Sequence, residues 1–379
     1  MSIEIIPVTT DQERKAFTNL PWKIYKDDPL WVAPLLGDEK KQFTPGKHPF
    51  WDHAECQLFL ALKDGEPVGR ISAQVDQNHI EFHEEKTGFF GFFECIENQE
   101  VATQLLDTAT AWVKERAMDQ IQGPFSFNTN GISGLLIEPF DTSPRMLMPY
   151  NPPYYADFIE AAGYGKVKDL LALDVQCGEP LIAHTEKLVN TMERIGKRAE
   201  AKGYTIREVN MKDFKGELEK LFEIYNEAWE KNWGFVPMTR DEFFNEAEML
   251  KQVVVPELAV IVEHGDEPVG FGLALPDFYQ AIKPIKGKLF PFGFIKVLSG
   301  LKKIDTLRLI TLGFKRTVRK RGVDALMYSR LMQNSFKLPR FKVVECSWIL
   351  EDNDLMISIV ERIGGKVVKK YRVYEKSLK

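Results

Sequence analysis

Leu312-Gly313-Phe314-Lys315-Arg316-Thr317-Val318-Arg319-Lys320-Arg321-Gly322-Val323-Asp324-Ala325-Leu326 is an apolar run that ends in a cationic, glycine-punctuated turn and then starts a helix. Upstream, residues 305–312 alternate like a half-buried strand. Downstream, Leu326, Met327, Leu331 and Met332 recur at helical spacing. A strand feeding such a turn directs the free backbone N–H groups of the next helix outward, together with the positive end of its dipole. Gly322 lets the backbone come close to a ligand, and Arg319, Lys320 and Arg321 add charge. The same residues also suit a solvated helix start, so their place in the fold must decide between an anion cradle and a cap.

The 379 residues are long for one core and suit two domains of ordinary size. Hydrophobic and charged contents of 44% and 28% describe a globular chain, and a net charge of -5 provides no overall basic field. Any phosphate recognition must therefore be local, and nucleic acid is not expected as a partner. The four cysteines form no CxxC pair, which argues against a zinc site or a disulfide framework and for a reducing, cytoplasmic setting. Among the six histidines, His79 and His83 are four apart but lack a third ligand, so no metal is expected. The start, Met1-Ser2-Ile3-Glu4-Ile5-Ile6, has no basic segment before an apolar run, and no stretch reaches the length of a membrane span. Neither export nor integral membrane association is expected.

Periodicity predicts a strand over 3–8, a helical segment from Thr10, and short helical pieces or turns where prolines interrupt 21–32. Strands over 56–62 and 67–75 form a hairpin around Asp64-Gly65. A strand at 88–96, helices at 99–117 and 151–162, and a strand at 170–175 complete the first half. The second half repeats this order, with a strand at 204–209, helices at 214–229 and 240–253, and a hairpin of 258–262 with 268–275. Glu267-Pro268-Val269-Gly270 echoes Glu66-Pro67-Val68-Gly69 at the same place in its hairpin. A strand at 305–312, a helix from Val323, a strand at 343–349, a helix at 353–363 and a strand at 367–376 follow. The expected division is a domain over 1–176, a connecting helix within 177–203 and a second domain over 204–379.

At the cationic turn the chain resembles the GCN5-related N-acetyltransferases (GNAT), whose acyl-CoA pyrophosphate loop reads Arg or Gln, two residues, Gly, one residue, then Gly or Ala. The frame here is Arg319-x-x-Gly322-x-Asp324, with a carboxylate at the last position. The order of elements resembles this fold twice. The resemblance implies an α/β (α+β) chain of two tandem GNAT-like domains, each a mixed, mainly antiparallel sheet flanked by helices. The corresponding turn of the first copy, Glu97-Asn98-Gln99-Glu100-Val101-Ala102, has no glycine and two carboxylates that would repel pyrophosphate. The resemblance therefore implies that acetyl-CoA or another acyl-CoA is held by the second copy, through Leu312, Gly313, Arg319, Lys320, Arg321, Gly322, Val323 and Asp324. Family members often carry an Asn at the start of the helix after the next strand and a Tyr seven residues on. Asn353 takes the first place, where it also suits a helix cap, and Val360 takes the second. The strings from Pro21-Trp22 to Asp28-Pro29-Leu30-Trp31-Val32 and Ser347-Trp348-Ile349-Leu350-Glu351-Asp352-Asn353 are similar to bacterial proteins with paired acetyltransferase-like domains.

Acyl transfer needs a fixed thioester and an incoming amine that loses its proton. Glu345 or Glu351 is the expected base, if burial raises its pKa, although either also reads as a salt-bridged or solvated carboxylate. Trp229, Asn232 and Trp233, where helical periodicity lapses, are expected to line the acceptor pocket or to fill an interface. Asn128 and Tyr150 of the first copy are candidates to complete that pocket, with packing and turn formation as the alternative. Residues 279–304 carry six lysines and no acid among apolar residues, which fits a lid, a surface resting on anionic lipid or RNA, or a packed helical insert. The function expected from the resemblance is acyl-CoA-dependent acyl transfer, as an N-acetyltransferase, to a small-molecule or peptide amine by the C-terminal domain of a monomer or homodimer. The alternatives are a GNAT-fold CoA- or ligand-binding protein without catalysis and an aminoacyl-tRNA-dependent peptidyltransferase.

Overall fold

The computed structural model describes residues 2–177, 179–319 and 321–379, and the side chains of all of these except 179–185. The chain forms two compact units. Unit 1 comprises Met1–Leu170, Ile282–Leu298 and Lys369–Lys379, and unit 2 comprises Leu171–Ala281 and Ser299–Val368.

In unit 1, β1 (Ile3–Pro7) leads into α1 (Asp11–Ile24), which opens on a reciprocal capping box between Thr10 and Glu13. Proline was expected to end this helix, yet Pro21 lies inside it. A proline leaves the carbonyl four residues earlier without its N–H partner. That carbonyl, Phe17 O, instead accepts a 2.9 Å hydrogen bond from Arg70 Nη1, so the helix continues for another turn. The unit continues through α2 (Leu36–Gln42), β2 (Ala54–Lys63), β3 (Glu66–Asp76), α3 (Gln77–His83), β4 (Thr87–Cys95) and α4 (Gln99–Glu115). It then has β5 (Gln120–Gly123), β6 (Leu135–Glu138) and α5 (Tyr155–Ala161). The helix expected from Asn151 begins only at Tyr155, because the buried Asn151 amide is bonded to both backbone groups of Leu136.

β7 (Gly165–Gln176) and α6 (Glu179–Glu200) precede unit 2's own order of β8 (Tyr204–Glu208), α7 (Phe214–Ala228), α8 (Arg240–Leu250), β9 (Ala259–His264) and β10 (Glu267–Pro276). After α9 (Tyr279–Ile282) and α10 (Gly293–Leu301) come β11 (Thr306–Phe314), α11 (Val323–Phe336), β12 (Val343–Leu350), α12 (Asp354–Arg362) and β13 (Lys366–Ser377).

In unit 1 the strand order runs β1-β2-β3-β4-β5-β13, with β6 also paired to β13, and in unit 2 it runs β12-β11-β10-β9-β8. Alternation along β2 divides its residues between two layers. Phe59 and Ala61 join the core under α4, whereas Leu58 and Leu60 join Phe17 of α1. Along β9, Val260 and Val262 likewise pack with α11, and Ala259 and Ile261 with α7. Each unit is therefore a mixed, mainly antiparallel sheet flanked by helices. The hairpin echo extends to irregularities, since Val68 and Val269 are each the extra residue of a bulge two residues into the second strand.

The units depart from a linear division at residues 176 and 204. Residues 282–298 and Lys369–Lys379 group with the N-terminal unit, and Leu171–Gln176 with the C-terminal one. The reason at the C-terminus is pairing: Tyr374 lies opposite Gly123 and Arg372 opposite Leu135, with Tyr371, Val373 and Tyr374 fully buried. A chain truncated before Lys369 should lose several kcal/mol of packing, about 3 or more for each buried aromatic, along with the ladder to β5. Urea unfolding should then show no cooperative transition for the N-terminal unit. A truncated chain that unfolds at the same midpoint as the full one would contradict this role.

Candidate functional site

In unit 2 the parallel strands β11 and β12 pair over Thr306–Leu309 and Val343–Cys346 and then part. From Thr311 to Phe314, β11 remains paired with β10 on its other edge, after a bulge at Ile310. Among the described residues this leaves the β12-facing edge of the last residues of β11 without a strand partner, so its backbone groups are available to a ligand. Nearby, the hydroxyl of Thr311 is buried without a hydrogen-bond partner among the described residues. Side chains beyond the bulge alternate. Leu312 packs toward α11, and Gly313 faces α7, where a Cβ would come within 2.1 Å of the Trp229 ring.

The strand ends at the cationic turn. Gly322 takes the left-handed conformation (φ 82°) that favours glycine and starts α11 with no side-chain cap. A Cβ there would also meet Ile195 at 2.6 Å. The backbone N–H groups of Val323, Asp324 and Ala325 thus open the helix without a capping side chain, with Arg321 and Asp324 exposed beside them. Arg319 points elsewhere, its guanidinium donating to Ala228 O at 2.8 Å, at the C-terminal end of α7. The neighbouring Arg316 is tied to the same helix end through Glu227 and Glu230. Lys320 lies outside the described residues. The parted strands, the uncapped helix start and the partnerless Thr311 hydroxyl fit the arm and phosphates of an acyl-CoA.

Trp229 therefore sits directly against Gly313, tilted against the Tyr225 ring and edge-on to that of Phe271. Asn232 is exposed in a turn closed on Trp229 O, and Trp233 is partly buried beside it. Glu345 is enclosed. Its carboxylate accepts the Ser347 hydroxyl at 2.5 Å and lies 3.9 Å from Arg308 Nε, with that guanidinium also bonded to Ser347. Glu351 is partly exposed where β12 ends. Asn353 caps α12 through Met356 N, the role its sequence also allowed. In unit 1, Asn128 is bonded to Asp76, itself paired with His53, and Tyr150 donates to Asp28. Among the described residues no group of three His, Cys, Asp or Glu side chains is placed to hold a metal ion.

Unit 1 repeats the bulge and handles the gap differently. β4 pairs with β5 only from Thr87 to Phe89 and bulges at Phe92–Phe93. Here the space is closed by the chain itself, since Phe125 N bonds Phe90 O and a Cβ on Gly91 would lie 1.7 Å from Phe125 O. Phe127 stacks on Phe50 and packs against Phe92. The start of α4 is capped by Asn98, which accepts from Val101 N.

At the end of β4 lies a cluster that sequence reasoning missed. Glu94 accepts hydrogen bonds from Tyr25 at 2.7 Å and Tyr155 at 2.8 Å, opposite Arg70 in register. Burial pushes its carboxyl up to about 7, against the Arg70 charge and the two phenol hydrogen bonds that hold it down. Burial, then the Glu94 charge, also pushes both phenols well above their ordinary range. The available signal was a lone carboxylate in the apolar run Gly88-Phe89-Phe90-Gly91-Phe92-Phe93-Glu94-Cys95-Ile96.

No model of a known protein family matches the sequence. The chain is 38% identical to protein YghO of Escherichia coli (strain K12) over 96% of its length and 93% of that protein's. It is 36% identical to the bacterial ceramide synthase of Caulobacter vibrioides (strain NA1000 / CB15N) over 99% of its length and 98% of that protein's. Among solved structures it superimposes on a tandem GNAT protein from the clavulanic acid biosynthesis pathway with a TM-score of 0.57, covering 99% of this chain and 98% of that one. At 11% identity that likeness establishes the fold, two GNAT-like domains in tandem.

The Glu94 cluster has a consequence for stability. Its folded-state pKa of about 7 exceeds the ordinary 4.5, so the folded chain binds the extra proton between those values. Stability from this group is therefore fully present below about 4.5 and is lost as pH rises through 7, by about 3 kcal/mol. Melting of Glu94→Gln followed against pH should lack this decline, and a slope equal to the wild type's would show that Glu94 is ordinarily ionised.

Proposed function

The chain belongs to the family of the Caulobacter vibrioides ceramide synthase and the Escherichia coli protein YghO, and from that premise we propose that it is an acyltransferase acting on lipids. It would join a long acyl chain, carried as a coenzyme A thioester, to the amine of a long-chain amino alcohol. The end-to-end likeness to a ceramide synthase carries this reading, because a ceramide is the amide of a fatty acid with such an amine. The lipid class of that product favours a long acyl group over acetyl, and a lipid amine over a peptide.

The second unit is the proposed seat of the reaction. Acyl-CoA, when bound, supplies a carbonyl activated toward amines. The N–H groups of Val323 to Ala325, with Arg321, would hold its phosphates at the start of α11. The open edge of β11 around Leu312 and Gly313 would align the arm, and Trp229 would fix the wall against Gly313. As the C–N bond forms and the C–S bond breaks, the amine must give up a proton. Glu345 is committed to Arg308 inside the unit, which favours Glu351, partly exposed beyond the parting of the strands, as its acceptor.

Purified chain given a long-chain acyl-CoA and a long-chain amino alcohol should yield the N-acyl product by mass spectrometry. Acyl-CoA binding with no amide at any acyl length would favour a non-catalytic binding protein, and the lack of binding would sink the proposal. In calorimetry at low salt, Arg321→Glu should weaken acyl-CoA binding by about tenfold, while Asp324→Ala should tighten it a few-fold by removing a carboxylate beside the phosphates. Unchanged affinity in both would place the phosphates elsewhere. Glu351→Gln should lower kcat by roughly a hundredfold or more with acyl-CoA affinity intact, whereas wild-type turnover would rule out Glu351 as the base.

A further inference from the structure

We propose that the loop and helix of residues 286–298 form a docking element that seats the protein on anionic phospholipid bilayers. The inference goes beyond the proposed acyl transfer and does not require it. Phe290 is 82% exposed and Phe292 70%, with Phe294, Ile295 and Leu298 also exposed. Single exposed apolar residues are ordinary, but five exposed within nine positions are a concentration of the kind that marks an interaction surface.

The segment is fixed in place. Trp22 Nε1 donates to Lys286 O at 2.9 Å, and Leu36 N donates to Gly287 O at 3.0 Å. Gly287, at φ 81°, could not carry a Cβ, which would lie 2.4 Å from Pro34 O. Ile285 and Val297 are buried at either side, and Phe294 N closes the loop on Leu289 O. With its base pinned and its inward side chains already packed, the tip at Phe290-Pro291-Phe292 leaves most of both rings in solvent, the Phe290 ring 6.4 Å from that of Phe294. Beside it, Leu35 and Leu36 of the α2 region and Leu289 border a groove of about 330 Å³, with Lys40, Asp38 and Lys288 on its margin.

Charge selects the occupant. Lys286, Lys288 and Lys296 are exposed around the aromatic tip, and residues 279–304 contain no acid, although the chain as a whole carries -5. A second copy would bring like charge onto like charge. RNA would gain from the lysines but would leave Ile295 and Leu298 in water. A bilayer with anionic headgroups satisfies both features: rings and aliphatic side chains enter the headgroup–acyl boundary, and lysines remain at the phosphate level.

The test uses the full chain, without substrate, sedimented with vesicles of phosphatidylcholine alone or of phosphatidylcholine mixed with phosphatidylglycerol. Wild type should partition to the mixed vesicles at least about tenfold more strongly, and high salt should reduce the difference. Phe290→Ser/Phe292→Ser/Phe294→Ser and, separately, Lys288→Glu/Lys296→Glu should each lower partitioning about tenfold or more, given roughly fivefold for each lysine charge. Both lysines are exposed, so the second variant decides the matter if the first fails to fold by its melting curve. Calorimetric binding of acyl-CoA in the absence of vesicles should stay unchanged in both variants, which separates this proposal from the catalytic one. The proposal is overturned if wild type ignores the anionic vesicles or if the variants bind them as wild type does. It is equally overturned if the variants lose only self-association or oligonucleotide retention.

Discussion

Parallel strands share a ladder only while they run side by side, and in unit 2 the ladder of β11 and β12 is released after Leu309 and Cys346. The bulge at Ile310 is the local cause, because an extra residue turns the strand while its other edge stays bonded to β10. Everything proposed for this unit depends on that release. It leaves backbone groups of a core strand without a strand partner, a condition that proteins tolerate where a ligand, a side chain or water takes the vacant positions. It also delivers the chain to the start of α11 with Gly322 in a conformation that leaves the helix without a side-chain cap.

Unit 1 meets the same geometrical problem and solves it with its own residues. After Phe89 its β4 also leaves β5, but Phe125 crosses close over Gly91, aromatic rings fill the remaining space and Asn98 caps α4. Two copies of one topology thus differ in what occupies the gap: protein in the first, and in the second, among the described residues, an open edge with an orphaned hydroxyl at Thr311. Burying a carboxylate as Glu94 is buried costs stability, which unit 1 offsets by two phenol donors and the facing Arg70.

Most strands and long helices were legible from periodicity. So was the internal repeat, since Glu66-Pro67-Val68-Gly69 and Glu267-Pro268-Val269-Gly270 specify the same turn and the same bulge. What remained hidden depended on partners distant in sequence. Pro21 reads as a helix stop, and Arg70, far along the chain, supplies the donor that the Phe17 carbonyl loses to the proline. β13 reads as the last strand of a C-terminal domain, yet its second half is hydrogen-bonded to β5 and β6. At the site, the turn and Gly322 were found from the local pattern, because glycine at φ 82° is a local requirement. The engagement of Arg319 with Ala228 O and of Glu345 with Arg308 was not, because both partners come from other elements.

Among the described residues the second copy combines an uncapped helix start with an open strand edge, and the proposed acyl-CoA site rests on that pairing. Hydrogen–deuterium exchange with and without a long-chain acyl-CoA measures this directly on the backbone groups concerned. Exchange should slow at residues 310–314 and 321–326 alone, with 90–102 of the first copy unchanged. Protection at 90–102, or none in either copy, would contradict it.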